Sequence, residues 1–154
     1  MKMKMMNNKQ KDKKSSDMIL ESNLISVHED HIYFYAPVNQ ETALILNQKL
    51  HQVSMQNLGG VFNSMYEVNS PPPIWLHINS YGGEVFSAFA IADTIERIKT
   101  TLPAVTIIEG CAASAATIIS TAATKRLTQK KTDYRGMIIK HSHLRKKPLI
   151  DYLT

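Results

Sequence analysis

The chain has 154 residues, 44% of them hydrophobic and 20% charged, with a single cysteine and a formal net charge of +5. That length suits one domain rather than two independent cores, and the composition excludes wholesale disorder and collagen-like repeats. Cys111 alone can form neither an intrachain disulfide nor a zinc framework of paired cysteines, so a reducing compartment is expected.

Most of the charge sits at one end. Residues 1–17 hold six lysines against Asp12 and Asp17, a net +4, which leaves only +1 for residues 18–154. A lysine-rich run without aromatic residues lacks the stacking platforms of single-strand binders. It reads as a disordered basic arm on a domain spanning 18–154, with no nucleic-acid partner. The arm contains no apolar stretch of signal-peptide length, and nowhere do 18 apolar residues run together. A soluble, cytoplasmic protein with no membrane partner is therefore expected.

Along the chain, Asn23–Val27 and His31–Tyr35 are rich in β-branched and aromatic residues and read as two short strands around the polar His28-Glu29-Asp30. Residues 41–53 place Ala43, Leu46, Leu50 and Val53 at helical spacing. Residues 54–73 contain Gly59-Gly60 and three consecutive prolines, and are expected to form a long loop. Ile74–Ile78 is a short apolar run opening into Asn79-Ser80-Tyr81-Gly82-Gly83, the pattern of a buried strand ending in a glycine turn. A helix follows, with Val85, Ala88, Phe89, Ala92, Ile95 and Ile98 assigned to its apolar face and Pro103 beyond its end. Val105–Ile108 reads as another strand and the alanine-rich 111–123 as another helix. Residues 125–136 read as a loop or edge hairpin, and Met137–His141 as a third buried strand. Strand, helix, strand, helix, strand at this spacing predicts consecutive βαβ units and an α/β fold with a mostly parallel sheet.

In such sheets the ligand crevice lies beyond the carboxyl ends of the strands, where three segments can converge. Gly82-Gly83 can adopt positive φ and let a substrate approach backbone N–H groups closely, as an oxyanion hole requires, or can serve a tight turn alone. Ser114, between small residues at a helix start, is either an N-cap or a nucleophile helped by the helix N-terminus. His141, with His143 two residues on, is placed to act as a base. A His-x-His pair could also ligate metal, but no further ligands cluster nearby, so no metal and no cofactor are expected.

Taken together, Ile78-Asn79-Ser80-Tyr81-Gly82-Gly83, the helix through Ala90-Ile91-Ala92-Asp93-Thr94-Ile95, and Gly110-Cys111-Ala112-Ala113-Ser114-Ala115-Ala116 resemble the Clp protease proteolytic subunit family. That family's pattern has I-N-S-P-G-G at the strand end, I-x-D-T-x-x-x-I-K in the helix and G-x-A-A-S-M-G around the nucleophile. The likeness runs over roughly residues 24–143. It implies a spiral of ββα units, an architecture shared with crotonase-type acyl-CoA-processing enzymes, which have no need of an Ala-Ala-Ser nucleophile. It further implies Ser114 as nucleophile, His141 as general base with His143 as its rival, Gly83 and Ala115 as oxyanion-hole amides, and backbone near Gly82 as a strand-like peptide-binding edge.

By the same resemblance the partners are identical subunits in stacked rings, an AAA+ unfoldase ATPase and unfolded protein substrates. The chain carries no phosphate-binding G-x-x-x-x-G-K-[ST] loop of its own. Tyr81 replaces the family's proline, Ala115-Ala116 replace Met-Gly, and two extra residues separate Met137-Ile138 from His141. The family's handle helix and triad aspartate lie further along than this sequence runs. Asp151 is the only carboxylate after His141, and it follows the basic Arg145-Lys146-Lys147, so it is not expected to complete a triad. A catalytically silent subunit that keeps the fold for assembly is the alternative implied by these departures.

Overall fold

The computed structural model of the chain describes residues 24–63, 71–129 and 150–153. Its elements are β1 (Ile25–His28), β2 (His31–Phe34), α1 (Gln40–Asn63), β3 (Ile74–Ser80), α2 (Val85–Ile98), β4 (Ala104–Ala112), α3 (Ala115–Ala122), β5 (Lys125–Gln129) and β6 (Ile150–Leu153). The strands form one six-stranded sheet in sequence order. The β1–β2 pair is antiparallel and every later pair is parallel, giving the expected α/β fold. The basic arm and residues 130–149, which include the expected strand Met137–His141, lie outside the described residues.

Parallel neighbours joined in sequence order through right-handed crossovers place α1, α2 and α3 on one face of the sheet. Strand alternation matches this. Ile32 and Phe34 of β2, Ile74, Leu76 and Ile78 of β3, and Ala104 and Ile108 of β4 are buried in one core with residues of all three helices. The core side of α1 carries Ala43, Leu46, Leu50 and Val53, the positions the spacing predicts. Its entry is a reciprocal cap. The Thr42 N–H donates to Asn39 Oδ1 at 2.8 Å, and the Asn39 N–H donates to Thr42 Oγ1 at 3.0 Å.

Four expectations are corrected. The helix begun at Gln40 does not stop at residue 53 but runs to Asn63, through Gly59 and Gly60. Two glycines cost a helix roughly 1 kcal/mol each. Here they continue a helix whose first half is already anchored by core burial. In α2 the buried face is Ser87, Ala88, Ile91, Thr94, Ile95 and Ile98, while Val85 and Phe89 are exposed. Hydroxyls that bond locally, Ser87 Oγ to Glu84 Oε2 and Thr94 Oγ1 to the Ala90 carbonyl, can be buried without loss, and this rotates the apolar stripe. The alanine-rich run is not helical from residue 111, because β4 extends through Ala112 and α3 begins only at Ala115. Lys125–Gln129 is neither loop nor edge hairpin but an interior strand, parallel to β4 on one side and β6 on the other, since the polar Lys125 and Thr128 pair in register with the buried Val105 and Ile108 of β4.

The other sheet face combines an apolar patch with a polar chain. Val105, Ile107 and Leu127 form a small cluster against Trp75. Beside it, His31 Nδ1 lies 2.8 Å from His77 Nε2, and His77 Nδ1 lies 2.8 Å from Glu109 Oε1, whose other oxygen accepts the Tyr35 hydroxyl. A carboxylate only accepts, so His77 Nδ1 carries hydrogen, and in neutral His77 the Nε2 accepts from His31. Tyr33 stacks on His77 with ring centroids 4.4 Å apart. His77 is therefore buried, as its strand position predicts, but in a polar network rather than an apolar core.

Partial burial, then the Glu109 carboxylate that accepts its hydroxyl, push Tyr35 up to about 12. The stability this contributes is fully present below the ordinary tyrosine value near 10 and is lost as pH rises through about 12. In spectrophotometric tyrosine titrations, Glu109→Gln should move the ionisation of Tyr35, identified as the difference from a Tyr35→Phe chain, to lower pH. Separately, Asn39→Ala should lower the unfolding free energy by about 1 kcal/mol in urea titrations, with an unchanged m-value.

Candidate active site

The carboxyl ends of β3 and β4 stand side by side, with Ser80 paired to Ala112 and the Ala113 N–H donating to the Ser80 carbonyl at 3.0 Å. The turn after β3 is forced to be glycine. Gly82 has φ +91°, and a Cβ there would lie 2.5 Å from the Ala113 carbonyl oxygen and 2.9 Å from both Ser114 Cβ and Ala115 N. A Cβ on Gly83 would lie 2.2 Å from the Val38 carbonyl oxygen. The backbone of the turn is thus pressed between the serine loop on one side and the exit of β2 on the other.

Val38 grips this turn as a one-residue parallel bridge to Gly83. The Val38 N–H donates to the Gly82 carbonyl at 2.9 Å, and the Glu84 N–H donates to the Val38 carbonyl at 2.8 Å. In a parallel bridge the residue between these two bonds turns its own N–H and C=O to the opposite edge. The Gly83 N–H therefore points away from Val38, and it donates to no acceptor among the described residues. Gly82 itself has both backbone groups occupied, its N–H by Ser80 Oγ at 3.1 Å.

Ser114 follows with φ +49° and ψ −126°, one of two non-glycine residues at positive φ among the described residues. Such a conformation costs of order 1–3 kcal/mol and persists only where the surroundings impose it. Ser114 occupies the N-cap position of α3, yet its side chain makes no capping hydrogen bond. The capping alternative is therefore not the one adopted. The Ala115 N–H, the first of the helix, also has no acceptor among the described residues. A half-buried hydroxyl on a strained strand-to-helix elbow thus stands beside two unengaged amide donors, Gly83 and Ala115.

Cys111, three residues before Ser114, is half-buried on the last strand residues of β4. His141 and His143 lie outside the described residues. The β6 backbone sets Asp151 opposite Leu127. Among the described residues no three His, Cys, Asp or Glu side chains are grouped to hold a metal ion, and no helix is long and apolar enough to cross a membrane. Sequence reasoning passed over Val38 and Ser80. Val38 acts through its backbone and leaves no sequence signal, whereas a small hydroxyl residue two positions before Gly82 is a faint one.

The sequence model described as Clp protease matches residues 26–150. This chain belongs to the Clp protease family. An ATP-dependent Clp protease proteolytic subunit 2 of Prochlorococcus marinus (strain NATL2A) is 34% identical over 100 residues, covering 65% of this chain and 49% of that protein. A proteolytic subunit 3 of Synechococcus sp. (strain CC9605) is 33% identical over 97 residues, covering 63% and 48% respectively. Among solved structures, ClpP1 from Listeria monocytogenes aligns at 27% identity and a TM-score of 0.54, over 68% of this chain and 54% of that one. The chain spans about half the length of the curated relatives it matches.

Gly82→Ala should be among the most damaging substitutions in this Clp protease family member. Its methyl would meet the serine loop at 2.5 Å with φ fixed at +91°, so a loss of more than about 2 kcal/mol is expected in denaturant titrations. By contrast Gly59→Ala, where nothing lies within 4 Å, should stabilise α1 slightly.

Proposed function

We propose that this chain is a serine peptidase subunit that cleaves peptide bonds of unfolded proteins through an acyl-enzyme. The observation that carries this reading is the strained Ser114, its hydroxyl uncommitted to capping, next to the unengaged Gly83 and Ala115 amides. Ser114 Oγ attacks the scissile carbonyl, whose oxygen gains negative charge in the space facing those two N–H groups. Preorganised amide donors of this kind are each worth about 10²–10³ in rate. The N-terminus of α3 adds its own favourable potential there. His141 takes the Ser114 proton and returns it to the leaving amine, and water then releases the acyl group by the same route in reverse.

The edge of Gly83 that faces away from Val38 offers one N–H and one C=O, the pair an extended peptide needs to align as an added strand next to Gly82. Family membership supports the rest of the reading. Identical subunits would assemble into rings, and an AAA+ unfoldase ATPase would deliver the unfolded chain in the cytoplasm.

A fluorophosphonate probe tests the chemistry. It should label Ser114 in the unmodified chain and fail on Ser114→Ala, while Cys111→Ala labels normally. His141→Ala should slow labelling more than His143→Ala. Labelling that survives Ser114→Ala but not Cys111→Ala would make the thiol the nucleophile, and no labelling of any form would identify a silent subunit.

A further inference from the structure

A glycine turn has no stiffness of its own, so something outside it must hold the Gly82–Gly83 peptide plane if Gly83 is to present its N–H in one direction. The Gly82 carbonyl and the Gly83 N–H belong to the same planar unit and point in opposite directions, so the bond from the Val38 N–H to the Gly82 carbonyl sets the aim of the Gly83 N–H. That aim is only as firm as the placement of Val38 relative to the turn. One side chain joins the two. Ser80, 3% exposed, donates its single hydroxyl hydrogen to the Ala36 carbonyl at 2.7 Å and accepts the Gly82 N–H at 3.1 Å. It thereby ties the exit of β2, two residues before Val38, to the first peptide of the turn. Its carbonyl meanwhile accepts the Ala113 N–H of the serine loop. Among the described residues, the other hydrogen bonds between residues 36–38, the turn and residues 113–115 run backbone to backbone.

We propose that Ser80 is a positioning residue for the oxyanion donor, holding the Gly83 N–H on the charge that develops when Ser114 attacks. This rests on the reading of Ser114 as nucleophile. Without the hydroxyl, the Ala36 carbonyl and the Gly82 N–H both lose a buried partner, and the conformational freedom of Gly82 and Gly83 returns to the turn. The donor is still present but no longer aimed, so transition-state stabilisation falls while ground-state binding is kept.

The test is the reaction of the 154-residue chain with an alkyl fluorophosphonate. Ser114 Oγ forms the P–O bond, its proton passes to the base, fluoride departs, and the phosphoryl oxygen takes the place of the oxyanion. Ser80→Ala and the near-isosteric Ser80→Cys, whose thiol is a weak donor and acceptor, are compared with Thr94→Ala, which removes a buried hydroxyl from α2 far along the chain from the turn. All are assayed well below their melting temperatures. The maximal labelling rate at saturating probe should fall about tenfold or more in both Ser80 variants, with half-saturation within about twofold of the unmodified chain and Thr94→Ala unchanged. A Ser80 variant that folds and keeps the unmodified rate at saturation overturns the proposal and leaves the peptidase reading standing. So does an equal fall in Thr94→Ala, which would mark a general effect of lost stability. Absence of labelling at Ser114 in the unmodified chain removes the peptidase reading, and this inference with it.

Discussion

The single-residue bridge between Val38 and Gly83 is the constraint on which the rest of the site depends. Two backbone hydrogen bonds of 2.8 and 2.9 Å bring Val38, in the segment that leaves β2, against the turn after β3, and they do so only because Gly83 has no Cβ to strike the Val38 carbonyl. The bridge has two consequences. It satisfies the groups on one edge of the turn, and by the geometry of parallel pairing it leaves the other edge, with the Gly83 N–H, facing away from Val38 and without an acceptor among the described residues. An unsatisfied donor is normally a cost, and in the proposed peptidase this one, beside a serine, would be a resource for binding developing negative charge.

Ser114 is likewise held in a strained conformation by its surroundings. An L-residue at φ +49° is held there by its neighbours: β4 pairs as far as Ala112, the Ala113 N–H is anchored on Ser80, and α3 starts at once with Thr117 donating back to the Ser114 carbonyl. With its ends fixed by a sheet and a helix, the elbow cannot relax. Gly82 packs directly against it, which makes the serine loop and the glycine turn one rigid unit rather than two adjacent loops.

The two faces of the sheet are built on different physics. One is closed by three helices over aliphatic side chains, and its energetics are those of apolar burial. The other carries rings and polar atoms in a hydrogen-bonded line from His31 through His77 to Glu109 and Tyr35, and such a line tolerates burial because each member has a partner. Both begin from strand alternation in β2, β3 and β4, where even positions face the helices and odd positions face away.

Much of this was legible in the amino-acid order. Alternation in Ile74–Ile78, the core positions of α1 and the glycine pair after Ser80 depend on local stereochemistry and periodicity, which sequence carries directly, and so did the resemblance that pointed to Ser114. The continuation of α1 through Gly59-Gly60 was not legible, because helix length there is decided by tertiary anchoring of its first half against propensity in the second. Nor was the strand at Lys125–Gln129, whose polar residues are made compatible with a sheet only by the apolar neighbours of β4. The choice between capping and free hydroxyl at Ser114, and the freedom of the Gly83 and Ala115 amides, could not be read from residue types at all. Backbone N–H groups are the same in every residue but proline, and whether one is spent in a bridge or left without an acceptor is determined only when distant segments, here residues 36–38 and 80–83, are brought into contact.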